Sequence, residues 1–147
     1  MRLAILTHLI AVLLLAPLSA SAAPGDALTI PAAVQIQPAE LAAMLKAGDT
    51  PPILQVGFSV MYQQAHIPNS HFAGPGNKDD GLLNLKNQVE ALPRASLVVI
   101  YCGCCPWEKC PNIAAAYKQL VEMGFTRVTN VHGGLMAWKK AGLPVNR

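Results

Sequence analysis

Four cysteines, Cys102, Cys104, Cys105 and Cys110, fall within nine positions of one run, YCGCCPWEKCPN, and the chain has no others. A thiolate is both a nucleophile and a soft-metal ligand, and its share rises beside unpaired backbone N–H groups and the positive end of a helix dipole. The run separates the apolar segment Leu97-Val98-Val99-Ile100-Tyr101 from a helix-like segment carrying Ile113, Ala116, Tyr117, Leu120 and Val121. A loop that ends a strand and opens a helix is therefore expected, and such N–H groups collect there. Three chemistries fit: a reactive sulfur centre at Cys102, a disulfide among the remaining cysteines, and a thiolate metal site. Four cysteines permit three pairings, and spacing does not choose among them. Adjacent Cys104 and Cys105 are poor partners for each other, because a vicinal bridge is strained.

The elements that must position this loop follow from pattern. Val34 to Gln37 reads as a first strand, and Pro38 opens a helix through Lys46 that Gly48 ends. Ile53 to Val56 is a second strand behind Pro51-Pro52, and Ser59 to Ala65 gives one or two helical turns. His71 to Ala73 is a short third strand followed by the turn-rich stretch Gly74 to Gly81, with Asp79-Asp80 as a solvated turn. Leu82 to Leu92 is a helix stopped by Pro93. The unbroken apolar run 97–101 fits a strand buried on both faces of a mostly parallel sheet. Gly124 closes the helix after the loop, Arg127 to Val131 is a fifth strand, and Gly134 to Lys140 a last short helix. Strands alternating with helices imply βαβ units and an α/β sandwich. Functional crevices in such folds lie at the carboxyl ends of central strands, the position Cys102 takes.

The first residues carry an address. Arg2 precedes an apolar run from Leu3 to Leu15, then Pro17 and the small residues Leu18 to Ala23, which reads as a secretory signal at 1–22 cleaved after Ala22. A flexible leader is expected at 23–33 and one domain at 34–147, and the protein is expected to be periplasmic or secreted, with no membrane attachment once the signal is removed. Of 11 basic and 8 acidic residues, loss of Arg2 leaves ten against eight, with the basic ones scattered. Nothing in that balance points to nucleic acid or a membrane surface. An oxidising compartment favours disulfides unless a thiol-disulfide reductant protein serves the cysteines.

Six segments together resemble the rhodanese-like sulfurtransferase superfamily: Ile53-Leu54-Gln55-Val56, Ala65 to Ser70 (AHIPNS), Leu97 to Cys102 (LVVIYC), Ala114 to Ala116, Met123 to Val128 (MGFTRV), and Gly133 to Val145 (GGLMAWKKAGLPV). The chain resembles a single-domain exported member with an atypical cysteine-rich active loop. The resemblance implies a rhodanese-like three-layer sandwich, a central mostly parallel five-stranded sheet with helices on both faces. It also implies that Cys102 is the nucleophile, taking a sulfane sulfur from an anionic donor such as thiosulfate and passing it from a persulfide to a thiol or cyanide. Gly103, Cys104, Cys105, Pro106, Trp107, Glu108, Lys109 and Cys110 would then bind the donor, with Cys104, Cys105 and Cys110 as resolving or disulfide cysteines. No cofactor and no resident metal is expected on this reading.

Several residues depart from the family pattern. Where relatives usually carry Asp before valine and Arg after it, this chain has Gln55 and Gly57, so a bracing buried ion pair is absent. The loop is longer than the usual six-residue cradle and has no arginine, leaving Lys109 as its only cation. A phosphatase of this fold needs an arginine six residues after its cysteine, and Glu108 stands there, which disfavours that reaction. Two other functions remain open: thiol-disulfide exchange through Cys102 and Cys105, which have CxxC spacing, or through Cys105 and Cys110, and a Cu or Zn thiolate module. His66 is read as a scaffold hydrogen-bonding group, His132 as a residue that approaches the crevice, Trp107 as a pin for the loop, and Trp138 and Tyr117 as core or sheet cover.

Overall fold

The computed structural model describes residues 30–103 and 110–147. The expected signal segment 1–22, the leader as far as residue 29, and loop residues Cys104, Cys105, Pro106, Trp107, Glu108 and Lys109 lie outside the described residues. Ten elements alternate along the chain: β1 (Gln35–Ile36), α1 (Pro38–Lys46), β2 (Ile53–Gln55), α2 (Ser59–Gln64), β3 (Ser70–Phe72), α3 (Asp79–Val89), β4 (Leu97–Tyr101), α4 (Pro111–Glu122), β5 (Arg127–Val131) and α5 (Gly134–Lys140). The strands form one sheet in the order β1-β5-β4-β2-β3, and every pairing is parallel. The expected mostly parallel sheet is thus wholly parallel among the described residues.

Strand β4 lies at the centre, and its alternation builds both cores. Val98 and Ile100 pack with Leu85, Val89, Ile113, Ala116 and Leu120 of α3 and α4. Val99 and Tyr101 pack on the other face with Leu41, Leu135 and Trp138 of α1 and α5. An apolar strand with no polar alternation can only be stable with helices on both sides, which gives the three layers. Trp138 is buried and its indole N–H donates to the Pro144 carbonyl at 2.7 Å, so it is sheet cover, as expected. No helix of the described residues is long and apolar enough to cross a membrane.

Local chemistry explains the boundaries. Helix α1 begins with Pro38 at its first turn and a capping box in which Glu40 accepts the Gln37 N–H at 2.8 Å. Helix α3 differs from its expected span 82–92, starting at Asp79 and ending at Val89. Asp79 and Asp80 are not a turn but the first residues of that helix, where carboxylates favour the positive end of its dipole. Pro93 disfavours helical geometry at Leu92, so the chain leaves the helix early. At the other end of the domain, Ile30 is buried in the core and Ala32–Val34 form a 3-10 turn, so packed chain precedes the boundary expected at residue 34.

Candidate active site at the carboxyl end of the sheet

Cys102 leaves the carboxyl end of β4, and three neighbouring segments fix its surroundings. On one side the chain passes from β5 into α5 through Gly133 and Gly134, both with positive φ, at 68° and 56°. A Cβ on Gly134 would lie 2.3 Å from the Cys102 carbonyl oxygen, and that oxygen accepts the Leu135 N–H at 3.1 Å. Only glycine allows that approach with that backbone geometry, which is the physical content of the GG pair. Beyond the loop, Gly76 presses on the first turn of α4, where a Cβ would meet the Asn112 carbonyl oxygen at 2.3 Å, while the Asn77 N–H donates to Asn112 Oδ1 at 3.1 Å. Helix α4 is thereby held with its amino end, capped by Cys110, at the carboxyl edge of the sheet.

The third segment is the end of β2. Val56 N–H donates to the Tyr101 carbonyl at 2.9 Å, which extends the β2–β4 ladder to the residue before the cysteine. Gln55, the register partner of Tyr101, is fully buried. Its Oε1 accepts the Gly57 N–H at 3.2 Å, and because only an oxygen can accept that proton, the amide nitrogen must face away from it. That nitrogen, Nε2, has no hydrogen-bond partner among the described residues. A Cβ placed on Gly57 would lie 2.9 Å from Gln55 Nε2 and 3.0 Å from Cys102 Sγ. The absent side chain of Gly57 is what lets amide and sulfur face the same small space. An unsatisfied buried donor ordinarily destabilises a fold by about 1–3 kcal/mol. Asn130, next to the carboxyl end of β5, is the other such side chain among the described residues, so both orphaned groups lie toward the rim that carries Cys102.

Tyr101, next to Cys102 in sequence, is the opposite case. Its hydroxyl accepts the Ile67 N–H at 3.2 Å and is hydrogen-bonded to the Ser70 hydroxyl at 2.9 Å, tying β4 to the first residue of β3 and the chain before it. Burial pushes its pKa up from 10.0 to about 12, with the Ser70 and Ile67 hydrogen bonds opposing and the nearby Cys102 adding to the rise. Cys102 itself is 4% exposed, as is Cys110, and both belong to the core cluster on the α3–α4 face.

The remaining candidates are distributed differently. Gly103 follows Cys102 and faces Leu135, whose Cδ2 would be 3.2 Å from a Cβ there. Cys104 to Lys109 lie outside the described residues, so the expected donor-binding cradle is represented by its two ends, Gly103 and Cys110. His66 serves the scaffold: its Nδ1 is 3.0 Å from the Tyr62 carbonyl oxygen, its ring stacks on Tyr62, and its backbone bridges to Asn146. His132 Nδ1 lies 2.8 Å from Gln35 Oε1. His71 lines a cleft of about 600 Å³ with Thr50, Pro51 and Pro52, at the amino ends of β2 and β3, and no cysteine lines it. A smaller cleft of about 480 Å³ opens at their carboxyl ends beside Gly57, walled by Phe58, Val60, Phe72 and Pro75. The smaller cleft is on the side of the chemistry. Among the described residues no three His, Cys, Asp or Glu side chains gather as a metal site.

The sequence marks Gln55 and Gly57 only as a lost ion pair, not as neighbours of the sulfur. The signal that would place them there is the adjacency of β2 and β4, which are separated in sequence by α2, β3 and α3.

Comparison with known proteins is consistent with this arrangement. A family model described as Rhodanese-like domain matches residues 37–141. A protein of Allochromatium vinosum named as a sulfurtransferase is 37% identical over 60 residues, covering 40% of this chain and 50% of that protein. The chain thus spans half the length of the curated relative it matches. Among solved structures, the rhodanese-like domain of an Anabaena protein superposes with a TM-score of 0.60 at 23% identity, covering 77% of this chain and 78% of that one. A thiosulfate sulfurtransferase from Pseudomonas aeruginosa gives 0.60 at 22% identity, covering 77% of this chain and 20% of its own. These likenesses are to the fold.

Proposed function

The chain belongs to the rhodanese-like domain family, and from that premise we propose that it is an exported sulfurtransferase working through a persulfide on Cys102. The observation that supports this best is the station of Cys102 at the end of the central strand, with the Gly133-Gly134 turn, the end of β2 and the start of α4 converging on it. The relative of Allochromatium vinosum named as a sulfurtransferase lends the same reading its reaction class.

The proposed cycle has two displacements, which divide one difficult transfer into two easier ones. The Cys102 thiolate attacks the outer sulfur of thiosulfate; a new S–S bond forms, the S–S bond of thiosulfate breaks, and sulfite leaves with its electron pair. An acceptor thiolate or cyanide then attacks the terminal sulfur, forming a hydropersulfide or thiocyanate and returning the Cys102 thiolate. Residues Gly103 to Cys110 would cradle the donor with backbone N–H groups, and Lys109 would draw in its negative charge. One of Cys104, Cys105 and Cys110, as thiolate, would resolve the persulfide by attacking its inner sulfur, forming a disulfide with Cys102 and releasing hydrosulfide, and a dithiol reductant protein of the exporting compartment would return both to thiols as it is oxidised to its own disulfide.

Thiosulfate added to the reduced protein, followed by intact mass measurement, is the test. One added sulfur that cyanide removes, and that Cys102→Ser does not acquire, is expected. Absence of the adduct, or its persistence in Cys102→Ser, would discard the reading.

A further inference from the structure

A polar side chain sealed from water normally has all its hydrogen bonds made, because water is not there to make them. Gln55 breaks that rule at one atom. Its oxygen is used by the Gly57 N–H, its nitrogen by nothing among the described residues, and the side chain is wholly buried. The space in front of that nitrogen is the one that the missing Gly57 side chain leaves open, and Cys102 Sγ borders it from the other side. A neutral thiol is a weak acceptor, whereas an anionic sulfur is a strong one. The donor is therefore short of a partner in the resting geometry and gains one when charge appears on the sulfur. Donors fixed in advance where charge will develop are how sites stabilise reactive states without reorganisation.

We propose that the Gln55 side-chain amide donates a hydrogen bond to the anionic sulfur carried by Cys102, first the thiolate and then the terminal sulfur of the persulfide. Gly57 is the residue that makes the contact possible, since any side chain there would fill the gap. The part of the proposal that concerns the persulfide rests on the sulfurtransferase reading; the part that concerns the thiolate does not. Around the sulfur, the backbone carbonyl of Cys102 is taken by Leu135 of α5, Gln55 on β2 is neutral, Tyr101 is neutral below about pH 10, and the Cys110 thiol at the start of α4 belongs to the same buried cluster. Glu108 and Lys109 in the loop carry the nearest charges in sequence.

Two substitutions separate donor from shape. Gln55→Glu keeps an acceptor for Gly57 and replaces only the amide nitrogen, while Gln55→Met keeps the length without either polar atom. Fully reduced protein is alkylated with iodoacetamide across a pH series, and the adduct at Cys102 is quantified by peptide mass mapping. Persulfide formation from thiosulfate is timed by intact mass. The thiolate share at a fixed pH below the thiol pKa is expected to fall about tenfold in Gln55→Met, a shift of about one pH unit in the alkylation profile, and further in Gln55→Glu. Persulfide formation should slow in the same order, with both variants folded by circular dichroism. Profiles and rates within about twofold of wild type in Gln55→Met would overturn the proposal, whatever Gln55→Glu does. A wild-type protein that takes up no sulfur while its variants still shift the profile would end the sulfurtransferase reading and leave the thiolate contact standing. Normal sulfur uptake with unshifted variants would do the reverse.

Discussion

Gln55 and Tyr101 face each other across the β2–β4 register, both fully buried and both polar, and the sheet treats them in opposite ways. The Tyr101 hydroxyl has two partners, Ile67 and Ser70, so its burial is compensated and the contact holds the strand end in place. Gln55 has one bond made and one withheld, and the withheld one opens on the cysteine. The lesson is one of division: a buried polar group with its bonds complete serves the fold, and one kept short of a bond beside a cysteine keeps a donor in reserve. Adjacent residues on neighbouring strands can carry the two roles because the sheet places one on the strand that precedes the sulfur and the other across from it.

The largest expected effect tests the Tyr101 side of that contrast. Below about pH 10 the hydroxyl is neutral in folded and unfolded chains alike, so its full contribution is present. As the pH rises from about 10 to about 12 the unfolded chain loses a proton that the folded chain retains, and stability falls by about 2–3 kcal/mol. Tyr101→Phe should lose about 1–3 kcal/mol at neutral pH, since Ile67 and Ser70 are left without this partner, and should flatten that alkaline decline. Urea midpoints of both proteins along the pH series measure it; curves that fall in parallel above pH 10 would break the contrast. The alkylation profile of Cys102 in Tyr101→Phe should stay at wild type.

A smaller effect is expected from Gly57→Ala, which sharpens the Gln55 side. The new methyl crowds only the ends of two side chains, 2.9 Å from one and 3.0 Å from the other, and the backbone at Gly57 is not in the left-handed region. Stability should drop by about 1 kcal/mol, at the low end for overpacking, while sulfur uptake from thiosulfate slows about tenfold because the reacting atoms are displaced. Sulfur uptake within about twofold of wild type despite that loss of stability, read from single-turnover mass measurements and a urea midpoint, would argue that the gap is merely structural. The smallest effect belongs to the exposed pair Lys118 and Glu122 on α4, the one ion pair among the described residues. Lys118→Ala should change the urea midpoint by no more than about 0.5 kcal/mol, which sets the scale against which the buried pair is judged.

Much of the scaffold could be read from the chain. The run 97–101 is apolar without alternation, and it is the central strand, buried on both faces. Pro38 and Gly48 bracket α1, and the spans 97–101, 127–131 and 134–140 match β4, β5 and α5. The reading faltered where two local rules competed: Asp79 and Asp80 suit a turn as well as a helix start, and helix geometry prevailed because Leu85 and Val89 had a core to face. The place of Cys102 at a strand's end was legible as well, because the motif and the strand are contiguous.

What the order of residues determined by itself is therefore local or periodic: which segments are strands and helices, that the sheet is covered on both sides, and that a cysteine stands where β4 ends. Strand order was beyond it, since β2 and β4 become neighbours across an intervening strand and two helices. That adjacency brings Gln55 and Gly57 to the sulfur, and it also decides which buried polar group finds partners and which does not. Hydrogen-bond satisfaction is a property of what surrounds an atom in space, so only the tertiary structure could turn a glutamine that reads as a lost ion pair into a donor beside Cys102.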